Sequence, residues 1–126
     1  MLIVDSGGFT RLSSRTKPAL ALIRSLMNEG LWPPIVPTMV LIESLHGDPG
    51  KDANAHRFLK TCILQPDVTP AIARRAAELR RRARTGSAVD ALVVALAEPN
   101  GTILTGDKVD IETLAAHARG VSVELI

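Results

Sequence analysis

Aromatic side chains are almost absent from this 126-residue chain: Phe9, Trp32 and Phe58 are the whole set, with no tyrosine. A single-strand nucleic-acid module built on base stacking needs an aromatic platform, so that architecture is disfavoured. The single cysteine, Cys62, excludes an intramolecular disulfide and a thiolate zinc cluster. It points to a reducing compartment, the cytoplasm. No apolar run approaches the ~20 residues needed to span a bilayer. Met1 leads straight into a strand-like run with no basic region and long apolar stretch behind it, so neither a membrane partner nor a secretory leader is expected. Net charge is also small, +2 from 15 basic and 13 acidic residues.

Several chemistries lack their signatures. There is no G-x-S-x-G elbow for a nucleophilic serine. There is neither G-x-x-x-x-G-K-[ST] nor G-x-G-x-x-G, so Gly7-Gly8 is no phosphate loop. His46, His56 and His117 are scattered without i, i+4 pairing and read as surface or cap residues. The apolar fraction of 46% nevertheless supports a real core, and the length fits one domain over residues 1–126.

What the chain does have is four acidic residues set against apolar runs. Asp5 ends Leu2-Ile3-Val4, Glu43 follows Met39-Val40-Leu41-Ile42, Asp90 interrupts residues 88–97, and Asp107 follows Thr102-Ile103-Leu104-Thr105 after one glycine. A carboxylate at the edge of a core is costly unless it is paired, hydrogen-bonded or bound to a metal. Few basic residues lie nearby in sequence, which favours the metal. The arginines crowd elsewhere, at Arg74, Arg75, Arg80, Arg81, Arg82 and Arg84. A basic helix beside an acidic pocket suits a polyanionic substrate; a solvated helix face is the plain alternative.

Strand-like and helix-like segments alternate. Strands are expected at 2–5, 35–37, 62–64, 101–105 and 121–125, and helices at 18–29, 38–46, 52–61, 70–84, 87–98 and 109–118. Asp5, at a strand end before Ser6-Gly7-Gly8, also suits a turn residue, and Thr38 reads as the N-cap of its helix. The helix from Ser87 is apolar nearly all round, the mark of a buried helix. The alternation predicts an α/β fold with a mostly parallel sheet covered on both faces.

Parallel strands deliver their carboxyl ends to one edge, where open α/β sheets bind ligands. Asp5 and Asp107 follow strand ends, and Asp90 and Glu43 are expected near helix starts on the same rim. Four hard oxygen donors suit Mg²⁺ or Mn²⁺ better than zinc. Ser87 to Asp90 is also a fair capping box, and Asp107 and Asp110 also suit the start of the next helix.

Four blocks in this order resemble the PIN-domain family, and within it the VapC toxins of bacterial type II toxin–antitoxin systems. They are Leu2-Ile3-Val4-Asp5-Ser6-Gly7, Val36-Pro37-Thr38-Met39-Val40-Leu41-Ile42-Glu43, Ser87-Ala88-Val89-Asp90-Ala91-Leu92 and Thr102-Ile103-Leu104-Thr105-Gly106-Asp107, with Asp110 shortly after. The resemblance covers essentially the whole chain and implies a PIN-like three-layer sandwich. It implies a Mg²⁺-dependent endoribonuclease in which Asp5, Glu43, Asp90 and Asp107 are catalytic. Asp5, Asp90 and Asp107 would hold the metal, Mn²⁺ substituting for Mg²⁺, and Thr105 and Asp110 would support the cluster. It also implies an RNA substrate, a cognate VapB-like antitoxin and a homodimer. Arg80, Arg81 and Arg82 are the candidate RNA-binding residues. The competing reading is a non-catalytic RNA- or protein-binding module with the same fold; nothing in the sequence separates RNA from DNA.

Overall fold

A computed structural model describes residues 1–126. Five strands, β1 (Leu2–Val4), β2 (Ile35–Pro37), β3 (Ile63–Gln65), β4 (Thr102–Thr105) and β5 (Ser122–Leu125), form one sheet in the order β3-β2-β1-β4-β5. Every pairing is parallel, so the sheet is wholly and not mostly parallel. The β1–β4 register matches Leu2 with Thr102, Ile3 with Ile103 and Val4 with Leu104. The apolar residues of these two strands are buried completely or nearly so, as expected of central strands covered on both faces.

Seven helices flank the sheet: α1 (Ser6–Leu12), α2 (Lys17–Asn28), α3 (Thr38–Ser44), α4 (Ala53–Leu59), α5 (Pro70–Ala83), α6 (Ala88–Ala97) and α7 (Lys108–Ala115). The α6 helix packs on β1 and β4, with α5 and α7 beside it, while α1 contacts the same strands and packs on α2 and α3. The result is an α/β three-layer arrangement. Ala91 to Ala95 and Ala97 are all buried, which bears out the reading of this helix as apolar nearly all round. The three aromatics form one small cluster, with Phe58 edge-on to both Phe9 (centroids 5.7 Å apart) and Trp32 (6.0 Å). They serve the core and leave no stacking platform.

Two expectations are corrected. Asp5 is not a turn residue but the N-cap of α1, a helix the sequence pattern did not announce, with Ser6-Gly7-Gly8 as its first turn. Glycine is poor in helices, yet here it permits close packing. A Cβ on Gly7 would lie 2.8 Å from Gly106 Cα, and one on Gly8 would collide with the Leu104 carbonyl oxygen. Thr38 is the first residue of α3 and not its cap, which is Pro37. The Thr38 hydroxyl instead donates to the Gln65 carbonyl oxygen at 3.3 Å, joining the ends of β2 and β3.

A candidate metal-dependent site at the sheet edge

In the order β3-β2-β1-β4-β5 the chain winds outward in opposite directions from β1 and β4. The crevice beyond the carboxyl ends of two such strands is where open parallel sheets bind ligands. Asp5 leaves β1 and Thr105-Gly106-Asp107 leaves β4 at that point.

Asp5 is 4% exposed. One oxygen caps α1 by accepting from the Gly8 N–H at 2.7 Å, and the other accepts from Thr105 Oγ1. Burial pushes the Asp5 carboxyl above the usual aspartate range, and the nearby Asp90 carboxylate adds to that push. Hydrogen bonds from Thr105 and the Gly8 and Gly106 backbones oppose it. Asp5 is therefore a desolvated acid beside a second acid.

Asp90 comes from the first turn of α6. The capping box is present: Ser87 N–H donates to Asp90 Oδ2 at 3.2 Å and Asp90 N–H donates to Ser87 Oγ at 3.0 Å. Capping and proximity to Asp5 thus hold together, since the cap uses only one carboxylate oxygen. Asp107 occupies the N-cap position of α7, but its side chain makes no cap hydrogen bond and is exposed. Its N–H donates to Thr105 Oγ1 at 2.9 Å, so one threonine hydroxyl links the Asp5 carboxylate to the Asp107 backbone. Asp110 accepts from Thr85 Oγ1 at 2.7 Å. It ties α7 to the loop that presents Ser87 and Asp90, a positioning contact.

Glu43 departs from expectation. It is the next-to-last residue of α3, not near its start, and it is exposed. The apolar run before it is only partly buried: Val40 is inside, whereas Met39 is 36% and Ile42 78% exposed. Glu43 instead walls a cavity of about 520 Å³ with Ser6, Gly7, Thr10, Arg11 and others. Sequence reading missed that cavity. Ser6, Thr10 and Ser14 recur at helical spacing opposite buried Phe9 and Leu12, a usable signal that Gly7-Gly8 obscured.

The arginine segment divides. Arg80, Arg81 and Arg84 line a cleft with Thr85 and Gly86, on the loop leading to Asp90. Arg82 pairs with Glu78 at 2.8 Å, and Arg75 is committed to Glu98 through two hydrogen bonds of 2.7 and 2.8 Å. Burial pushes the Cys62 thiol up to about 11, away from the thiolate form.

The donor set at the sheet edge is all hard oxygen, and a buried acid raised by a second acid is what a divalent cation relieves. In this conformation no three His, Cys, Asp or Glu side chains stand together closely enough to hold a metal ion. What fits a divalent ion here is the donor chemistry alone. No helix is long and apolar enough to cross a membrane.

No protein-family model matches the sequence, and no curated protein matches it. Among solved structures the chain is similar to PAE2754 from Pyrobaculum aerophilum, with a TM-score of 0.61 over 97% of this chain and 89% of that one. The two share 15% sequence identity, so the likeness is one of fold, and it supports the α/β architecture described above.

Proposed function

We propose that this chain is a Mg²⁺-dependent endoribonuclease of the VapC type, the toxin of a type II toxin–antitoxin system. One observation carries the reading. Asp5, buried at the switch point of the sheet, has its carboxyl raised by burial and by Asp90, the arrangement of a site whose charge a cation balances. Asp5, Asp90 and Asp107 would hold Mg²⁺, with Mn²⁺ substituting. When bound, such an ion supplies a water of lowered pKa and neutralises phosphate charge.

The chain's own groups do the rest. Thr105 Oγ1 and the Gly8 N–H fix the Asp5 carboxylate and favour its ionised form. Asp110, through Thr85, holds the loop that leads into the first turn of α6 and Asp90. Glu43 would act from the wall of the adjoining cavity, through water and not as a direct ligand. Arg80, Arg81 and Arg84 hold substrate phosphates on the α5–α6 side. The same reading carries a VapB-like antitoxin and a second copy of the chain as partners. Exposed Met39 and Val68, beside Ala73, Ala77 and Leu92, offer apolar surface for one of them.

A second reading, a non-catalytic RNA- or protein-binding module, is favoured by the absence of three ready-assembled ligands. Incubation of purified protein with mixed cellular RNA separates the two. The nuclease reading expects discrete products in Mg²⁺, none in EDTA and none from Asp90→Asn. RNA left intact in every metal by folded protein, free of bound partner, would favour the binding module. A parallel arm with single-stranded DNA fixes the sugar preference.

A further inference from the structure

The cavity between α1 and α3 lies directly beyond Asp5, because Ser6 and Gly7 form part of its wall. Ile126 is the one hydrophobic residue in its lining. Two of its hydroxyls are committed within the chain: Ser14 Oγ donates to the Arg11 carbonyl oxygen at 2.7 Å, and Thr16 Oγ1 caps α2 by accepting from Ala19 N–H at 3.2 Å. Arg11 belongs to none of the ion pairs of the chain, although Glu43 walls the same cavity. An exposed guanidinium, lining the same cavity as Ser6 and Thr10, is thus held open to solvent beside the acidic rim. Arg11 is six residues beyond Asp5, a rise of roughly 9 Å along the helix. On the opposite flank of the rim lie Arg80, Arg81 and Arg84.

We propose that this cavity seats the polynucleotide backbone next to the scissile phosphodiester, with Arg11 as the phosphate-binding residue and Ser6 and Thr10 as hydrogen-bond donors. The inference rests on the nuclease reading and deepens it. A strand would cross the carboxylates from one arginine flank to the other, held by cations on both sides while the acids face the reacting phosphate. Arginine suits this task because its planar fork donates two parallel hydrogen bonds to a phosphate. The acids of the rim would otherwise repel the strand. Glu43 is the one acid inside the cavity, and Arg11 offsets its charge without engaging it.

The test compares wild type, Arg11→Ala, Arg11→Lys and, as a charge-loss control, Arg24→Ala on exposed α2. Binding of a fluorescein-labelled single-stranded RNA is followed by anisotropy in EDTA across a KCl series, and KM and kcat are measured in Mg²⁺. Arg11→Ala should weaken binding about tenfold and flatten the logarithmic salt slope by about 0.7. It should raise KM while leaving kcat at saturation near wild type. Arg11→Lys should keep the salt slope but recover only part of the affinity, and Arg24→Ala should match wild type. If wild type cleaves RNA and folded Arg11→Ala shows unchanged KM, affinity and slope, the cavity assignment falls and the nuclease reading stands. If wild type neither binds nor cleaves RNA, both fall together.

Discussion

Thr105 Oγ1 donates a hydrogen bond to Asp5 Oδ2 across a sequence separation of 100 residues, joining the ends of β1 and β4 inside the protein. The same hydroxyl accepts from the Asp107 N–H at 2.9 Å, so it touches the carboxylate of one candidate ligand and the backbone of another. Thr105→Val keeps the shape and removes the hydroxyl. The bond lowers the Asp5 pKa, so its loss moves that pKa further up. The expected outcome is cleavage reduced by about 10–100-fold, with the acid limb of the pH–rate profile shifted to higher pH. An unchanged profile would remove Thr105 from the site.

Gly8→Ala tests the packing of α1 on β4. Helix propensity alone favours alanine by roughly 0.5–1 kcal/mol. The added methyl meets the Leu104 carbonyl oxygen, which is backbone and cannot turn aside. Overpacking of this kind costs about 1–3 kcal/mol. Urea unfolding of the variant should show net destabilisation, and a gain in stability would contradict the close approach seen here.

Arg75 and Glu98 form a two-point ion pair that also gathers the His117 carbonyl and the Arg119 N–H, tying α5 to the segments after α6 and α7. Arg75→Ala leaves Glu98, whose side chain is 9% exposed, without its charged partner. A loss of about 2 kcal/mol is expected by denaturant unfolding. Glu98 lies at the far end of α6 from Asp90, roughly 12 Å along the helix. Cleavage per folded molecule should therefore stay at the wild-type level.

Asp52 is buried and accepts hydrogen bonds from the N–H groups of His46, Gly47 and Asp48 at 2.9, 2.8 and 3.2 Å. These donors, the His46 backbone first, bring its carboxyl down to about 2. A depressed carboxyl stabilises the fold above its unfolded-state value, about 3.9, and that contribution is lost as pH falls toward 2. Acid titration of wild type should lose stability between about pH 4 and pH 2, and Asp52→Asn should titrate less steeply there. Identical slopes would show that the loop 46–48 does not hold this carboxylate.

The legible parts of this chain were those in which local pattern and tertiary role agree. Leu2-Ile3-Val4 and Thr102-Ile103-Leu104-Thr105 are short apolar runs and became the two central strands, and Ser87 to Ala97 reads as a buried capped helix and is one. The placement of Asp5 and Asp107 at one sheet edge follows from parallel winding alone. Gly7-Gly8 misled because glycine is there for contact with Leu104 and Gly106, partners about a hundred residues away that no local rule reveals. Glu43 misled for a related reason. Met39 and Ile42 look like core in sequence, but the turn of α3 that carries them and Glu43 faces outward. Spacing put Asp5 and Asp107 at strand ends and Asp90 at a helix start; it misplaced Glu43 and did not tell how far each acid stands from the next.

Calorimetric titration of Mn²⁺ into folded protein tests most directly whether that rim is a metal site. Wild type and the surface control Glu112→Gln should take up the ion, and Asp5→Asn and Asp90→Asn should lose the uptake. No uptake by wild type, or uptake undiminished in both aspartate variants, would contradict the account.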